Sequence, residues 1–182
     1  MFAPKTLEAD ASGRGQRRAA YLGLALVIVL SLAGIFALTR PASTLPSRLA
    51  AAFSLPGPGG ATVSVAAPPG RATVIAFWAT WCPSCRTDLP RLAGRARSAG
   101  VRVVMVDEFE SAATATAWLQ NNGVGGTLAL DQSGSVASRY QVIGLPTTLF
   151  VSADGKIESR VVGAMSDAQI SAGLEAIRAP AA

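Results

Sequence analysis

The chain has 182 residues, of which 50% are hydrophobic and 15% are charged, and it contains two cysteines and no histidine. This composition suits a globular domain with a sizeable core and argues against an intrinsically disordered chain. The lack of histidine excludes Ser-His and Cys-His catalysis and any histidine-ligated metal site within the chain.

The net charge of +5 belongs largely to the N-terminus. Residues 1–40 hold five basic and two acidic side chains, whereas the rest of the chain holds eleven and nine. Because the charges of the rest of the chain nearly balance, the sequence does not predict a basic surface on a folded domain. We therefore expect no nucleic-acid partner.

An uncharged apolar segment, "AAYLGLALVIVLSLAGIFALT", covers residues 19–39. As a helix it would span about 31 Å, close to the hydrocarbon thickness of a bilayer. Three arginines lie shortly before it and Arg40 follows, so the positive-inside rule predicts a cytoplasmic N-terminus. A cleaved signal peptide is the alternative, although "FALTRPAS" offers no small-residue cleavage site.

The sequence therefore predicts a single-pass protein of the cytoplasmic membrane with its folded domain in the periplasm or an equivalent extracytoplasmic space. The predicted layout is a cytoplasmic segment over residues 1–18, the anchor, a linker over residues 40–49 and a folded domain over residues 50–180.

Within the folded domain, apolar runs alternate with helical patterns. Strands are predicted over residues 53–55, 61–66, 72–79, 101–106, 127–130, 147–152 and 157–163. Helices are predicted over residues 82–98, 111–123 and 166–178, with a short helix or turn over residues 133–140. Pro90 is expected to kink the first helix, and Ser166 with Gln169 has the spacing of a capping box. The order predicts an α/β fold with a mixed sheet, preceded by a β-hairpin.

The two cysteines, Cys82 and Cys85, form a C-P-S-C motif between a buried strand and a helix. Zinc needs about four ligands, and this motif supplies two unless a homodimer pools them. A redox pair explains the placement better. Cys82 would be the N-cap with Pro83 at the first helical position, where the helix dipole favours a thiolate. Cys85, one turn later on the buried face, would resolve a mixed disulfide formed by an exposed Cys82.

The segment "FWATWCPSCRTDLP" resembles the active site of thioredoxin-like proteins of the TlpA/ResA/CcmG (DsbE) type, which are membrane-tethered thiol–disulfide oxidoreductases. The resemblance continues through "LALDQSGSVASRYQVIGLPTTLFVSADGKI". It implies a thioredoxin-like fold whose working group is the redox-active disulfide, with no further cofactor and no metal.

The resemblance also assigns residues beside the cysteines. "GLPTT", residues 144–148, resembles the cis-proline loop, in which Leu145 would offer backbone hydrogen bonds to the substrate and Pro146 would face the cysteines. The alternative for Pro146 is a simple strand-start proline. Trp81 is expected to be a surface aromatic that shields Cys82.

Acidic residues near the motif have several interpretations. The buried aspartate of thioredoxin is absent, since Ala76 occupies its position. Asp88 holds the place of a ResA-type carboxylate that could raise the pKa of Cys85 or accept its proton, but an acid near a helix start is favourable in any case. Asp107 and Glu108 follow a predicted strand, and Glu108 matches a family carboxylate near the site; a solvated loop charge is the alternative.

These features predict a reductase of protein disulfides. By resemblance, its substrates would include cytochrome c apoproteins before haem attachment, and a membrane dithiol carrier would supply electrons. Uncharged Pro83 and Ser84, with the negative charge of Asp88, favour the reducing end of the family's potentials. The alternatives are an oxidase on the same scaffold and a Cu(I) carrier, since paired thiolates suit Cu(I).

Overall fold

The computed structural model describes residues 49–178, which contain seven strands and four α-helices. The strands are β1 (Phe53–Pro56), β2 (Thr62–Val65), β3 (Thr73–Trp78), β4 (Arg102–Glu108), β5 (Thr127–Asp131), β6 (Thr147–Val151) and β7 (Ile157–Val162). The helices are α1 (Pro83–Ser98), α2 (Ala112–Asn121), α3 (Ser135–Arg139) and α4 (Asp167–Arg178).

The predicted N-terminal layout falls outside these residues. The cytoplasmic segment, the anchor over residues 19–39 and nearly all of the linker precede residue 49. Between residues 49 and 178, no helix combines the length and apolar character that a membrane span requires.

Strands β1 and β2 form the predicted hairpin. They pair antiparallel, with Phe53 opposite Val65 and Leu55 opposite Val63. These four apolar side chains are buried while the residues between them are exposed, because successive side chains of a strand point to opposite faces. The hairpin therefore has one apolar face to place against the main sheet.

The main sheet has five strands in the order β5-β4-β3-β6-β7, with β3, β4 and β5 parallel and β6 and β7 antiparallel. All six residues of β3 are buried. A central strand covered on both faces has no need of polar alternation, which explains its continuous apolar sequence. The predicted mixed sheet is confirmed.

Two core clusters cover the two faces of this sheet. One contains alternate residues of β3 and β4, namely Val74, Ala76, Trp78, Val103 and Met105, together with side chains of α1, α2 and α4. The other contains the intervening residues of β3 and β4, the hairpin and α3. Both cysteines belong to the first cluster, and we call the face of the sheet that this cluster covers the cysteine face.

The predicted helix features have separate outcomes. Helix α1 continues through Pro90 as a single helix, so the proline does not interrupt it. The predicted capping box of α4 is confirmed: Gln169 N donates to Ser166 Oγ at 3.2 Å and Ser166 N donates to Gln169 Oε1 at 2.9 Å.

Candidate active site

The cysteine pair begins α1 directly after β3. Cys82 is the N-cap residue, and Pro83 occupies the first turn, where a missing backbone N–H breaks no helical bond. The amide of Cys85 donates to Cys82 Sγ at 3.2 Å. The two sulfurs are joined in a disulfide with an S–S distance of 2.08 Å. The predicted helix-start position of the pair is confirmed.

The predicted exposure of Cys82 is wrong for this oxidised form. Its exposed fraction is 4%, against 1% for Cys85. Because the disulfide directs the sulfur of Cys82 towards Cys85 on the buried side of α1, neither sulfur is widely open to solvent. Trp81 is 63% exposed, which confirms its placement as a surface aromatic; its shielding of Cys82 stays a prediction.

The turn that leads into the cysteines is held by an acid that the sequence analysis did not identify. Glu110 Oε2 accepts a 2.6 Å hydrogen bond from Thr80 N, and its Oε1 accepts a 2.5 Å bond from Thr80 Oγ1. The two residues are 30 positions apart in the chain. Only the parallel pairing of β3 with β4 brings them together, and no local sequence signal marks it.

Asp107 and Glu108 belong to β4 and not to a loop. The strand was predicted to end at residue 106, but it continues because Asp107 pairs with Trp78 on β3 and Glu108 pairs with Asp131 on β5. Both side chains are buried, so the interpretation of Glu108 as a solvated loop charge is wrong.

Asp107 has an unusual environment. Its side chain is fully buried, and its carboxyl interacts with the side chain and the backbone of Glu110. Burial is the main cause that raises its pKa to about 8, and the neighbouring carboxyl of Glu110 adds to the effect. This carboxyl is therefore mainly protonated at neutral pH.

Glu108 lies beside an open cavity of about 440 Å³. Burial raises the pKa of Glu108, and the negative charge of Asp131 raises it further. The same cavity is lined by Trp81 and Leu145 and by Ile143, which is 87% exposed. The structure thus brings to one surface three residues that were each predicted to lie near the cysteines, namely Trp81, Glu108 and Leu145.

The loop before β6 contains the predicted cis bond, between Leu145 and Pro146. Thr147, the next residue, pairs with Phe77 of β3, so the loop lies alongside the end of the strand that leads to the cysteines. The Pro146 carbonyl accepts a hydrogen bond from Gly163 N at 2.8 Å. The position fits a substrate-binding role for Leu145 and Pro146, which stays a prediction.

Asp88 is buried on the same side of α1 as Cys85. Its Oδ2 accepts a 2.6 Å hydrogen bond from Met165 N, and its Oδ1 pairs with Arg91 Nη1 at 3.0 Å. Both carboxylate oxygens are therefore engaged by groups other than the cysteines. Within residues 49–178 no cluster of three or more cysteine or acidic side chains is placed to hold a metal ion.

Comparison with known proteins agrees with this geometry. The sequence profile of the AhpC/TSA family matches residues 46–160. The thiol-disulfide oxidoreductase ResA of Bacillus subtilis (strain 168) is 32% identical over 104 residues, which cover 56% of this chain and 58% of ResA. The thiol:disulfide interchange protein DsbE of Allochromatium vinosum is 36% identical over 102 residues, which cover 56% of each chain. The chain thus spans less than three-fifths of these relatives.

A solved structure described as a thiol:disulfide interchange protein DsbE, from Chlorobium tepidum, superposes with a TM-score of 0.61 at 28% identity. The superposition covers 70% of this chain and 96% of that one. The predicted thioredoxin-like fold is confirmed by this similarity. The chain belongs to the AhpC/TSA family, as a thioredoxin-like protein similar to ResA and DsbE.

Proposed function

We propose that this protein is a thiol–disulfide oxidoreductase that works through Cys82 and Cys85 and acts mainly as a reductase of protein disulfides. The observation that carries the proposal is the Cys82–Cys85 disulfide at the start of α1, with the Cys85 amide directed at Cys82 Sγ. In the dithiol form, the same amide and the helix dipole stabilise a thiolate on Cys82.

The reaction consists of two exchanges. The Cys82 thiolate attacks one sulfur of a substrate disulfide, so a Cys82–substrate bond forms and the other substrate sulfur leaves as a thiolate and takes up a proton. Cys85 then loses its proton and attacks Cys82 Sγ, which forms the Cys82–Cys85 disulfide and releases the second substrate thiol. Two electrons have passed to the substrate. An external dithiol must then supply two electrons to reduce the Cys82–Cys85 disulfide again.

The surface beside the cysteines supports a protein substrate. Trp81 and Ile143 present exposed apolar area next to the loop that holds Leu145 and Pro146. We assign the backbone of Leu145 to hydrogen bonds with the substrate chain and Pro146 to contact near its disulfide. Apocytochrome c before haem attachment is the proposed substrate, and a membrane dithiol protein is the proposed electron donor.

The proposed location follows from the N-terminal sequence. The uncharged segment over residues 19–39 serves as the anchor, and the arginines before it keep residues 1–18 in the cytoplasm. The domain that carries the cysteines then lies outside the cytoplasmic membrane.

The direction of electron flow rests chiefly on the residues between the cysteines. Pro83 and Ser84 bring no charge that would stabilise a thiolate beyond the helix start. The charge of Asp88 contributes less than the sequence suggests, because Arg91 pairs with it. We therefore expect a midpoint potential below about −200 mV.

The test is to equilibrate the full chain in detergent against graded glutathione buffers and to measure the fraction of reduced cysteines. A midpoint above about −150 mV would instead support the oxidase. Stoichiometric, tight Cu(I) binding without any disulfide exchange would support the copper carrier.

A further inference from the structure

Two carboxyl groups lie behind the turn that leads into the cysteines. Asp107 is fully buried, and its carboxyl interacts with the side chain and the backbone of Glu110. Glu110, three residues later, binds both Thr80 N and Thr80 Oγ1. A buried carboxyl beside a second acid is favoured in its protonated form, because burial and the neighbouring negative charge both oppose its ionisation.

The side chain of Asp107 lies on the cysteine face of the sheet. Val103 and Met105, at alternate positions of the same strand, pack in the core cluster that contains both cysteines. Alternate residues of a strand share one face, so Asp107 continues this series. Trp78, its partner in register on β3, belongs to the same cluster.

The surroundings of Asp107 add negative charge and no positive charge. The charged groups that bear on its carboxyl are those of Glu110 and Glu108. The partners in register, Trp78 and Leu130, do not ionise. Helix α2, which packs on the same face, has no titratable side chain.

Helices α4 and α1 also pack on this face. The charged side chains of α4, namely Asp167, Glu175 and Arg178, are all exposed. Helix α1 contains Cys85 and has Cys82 as its N-cap. Its buried acid, Asp88, is already paired with Arg91 and hydrogen-bonded to Met165 N. Its remaining basic residue near the cysteines, Arg86, is exposed. A thiolate formed on reduction would therefore be a new negative charge on the face that Asp107 shares.

We propose that Asp107 and Glu110 form a proton-linked positioning pair that couples the redox equilibrium of Cys82 and Cys85 to pH. When Asp107 holds a proton, its carboxyl is neutral and Glu110 binds Thr80. When Asp107 loses that proton to solvent, its charge opposes a thiolate on the cysteine pair, and the dithiol form becomes less favourable relative to the disulfide. The inference rests on the proposed redox role of the cysteines.

The pH range of this coupling follows from the site. Both cysteines are in the disulfide, so the pKa of about 8 for Asp107 arises without any thiolate. Reduction adds a thiolate and raises the pKa of Asp107 further, because coupling between two binding equilibria is reciprocal. The pair therefore responds in the neutral to alkaline range, where carboxyl groups ordinarily do not titrate.

The direct test is a carboxyl-carbon NMR titration of the full chain in detergent micelles, labelled with ¹³C-aspartate. The signal of Asp107 is identified by its loss in Asp107→Asn. We expect it to titrate near pH 8 in the oxidised protein, at higher pH in the dithiol form, and at lower pH in Glu110→Gln. Titration of Asp107 at its ordinary value in both redox forms would overturn the proposal.

The functional test compares equilibria with glutathione at about pH 6.5 and about pH 9. The ratio of the reduction equilibrium constants of Asp107→Asn and the native protein should be near 1 at the lower pH. The ratio should rise to about fivefold at the higher pH. This corresponds to a difference of somewhat under one unit between the pKa of Asp107 in the oxidised and the dithiol form. Glu175→Gln, which removes an exposed carboxyl on α4, should give the native value at both.

A ratio that is the same at both pH values would overturn the coupling. If Asp107→Asn fails to fold, Glu110→Gln supplies the test, since the lower pKa of Asp107 in that variant should move the pH dependence of the reduction equilibrium to lower pH. Cysteines that do not exchange with glutathione at all would contradict the proposed function, while the NMR titration would still decide whether Asp107 holds its proton.

Discussion

The backbone amide of Met165 donates a 2.6 Å hydrogen bond to Oδ2 of Asp88, and this bond joins helix α1, which follows Cys82, to the segment before α4. Arg91, which pairs with the other oxygen of Asp88, also donates to the Met165 carbonyl at 3.1 Å and binds Asp167 of α4. This arrangement favours a structural role for Asp88 over a role as proton acceptor for Cys85.

Replacing Asp88 by alanine should therefore destabilise the protein. The change leaves the Met165 amide and one Arg91 contact without their acceptor, which should lower the free energy of unfolding by about 2–3 kcal/mol. Urea denaturation measures the effect, with Asp167→Ala as a control that should change little because that carboxylate is exposed. Unchanged stability together with slower resolution of mixed disulfides would contradict the structural role.

The two cysteines should differ in what they trap. Cys85→Ala keeps the attacking thiolate and removes the resolving one, so mixed disulfides with partner proteins should accumulate on Cys82. Cys82→Ala should trap almost none, because Cys85 is on the buried side of α1. Non-reducing gels of cells that express each variant give the comparison. Equal trapping by both would show that Cys85 can also attack substrates.

Stability should fall as pH rises through the titration of Asp107. Its pKa is raised to about 8 in the folded protein, mainly by burial. Below about pH 4, the pKa of Asp107 in the unfolded chain, the group is protonated in both the folded and the unfolded protein and costs no stability. As the pH rises from there towards the pKa in the folded protein, the free energy of unfolding falls progressively. Asp107→Asn removes this loss.

We expect Asp107→Asn to exceed the native protein in free energy of unfolding by roughly 3–5 kcal/mol at about pH 9, and by much less at about pH 5. Urea denaturation of both proteins at about pH 5, 7 and 9 provides the measurement. Parallel pH profiles for the two proteins would mean that Asp107 ionises normally.

The predicted topology can be tested with single cysteines in a Cys82→Ser, Cys85→Ser background. Glu175→Cys in the folded domain should react with a membrane-impermeant maleimide in intact cells, and in an outer-membrane-permeabilised preparation where an outer membrane exists. Ala11→Cys should react only after the cytoplasmic membrane is opened. Labelling of the reverse pattern would refute the extracytoplasmic location.

Much of the fold could be predicted from local sequence. The continuous apolar run of β3, the alternating hairpin strands and the capping box of Ser166 and Gln169 each follow from interactions within a few residues. The helix-start position of Cys82 is equally local, because a cysteine before Pro83 needs only the free amides of its own helix.

Other features depended on contacts that no local pattern encodes. The end of β4 was misplaced because Asp107 and Glu108 are polar, and only pairing with Trp78 and Asp131 keeps them in the sheet. The sequence could not assign their burial or the raised pKa of Asp107, since both are properties of the neighbouring strands and the turn.

Features that depend on near neighbours in the chain could be predicted, and features that depend on residues far apart in the chain could not. By itself, the amino-acid sequence determined the C-P-S-C motif at a helix start and the alternation of strands and helices, because hydrophobic period, capping chemistry and cysteine spacing act over a few residues. The tertiary structure alone decided which partners the acids near the cysteine pair bind. Glu110 reaches Thr80 across 30 residues and Asp88 reaches Met165 across 77, so each partner was set by how strands and helices pack together.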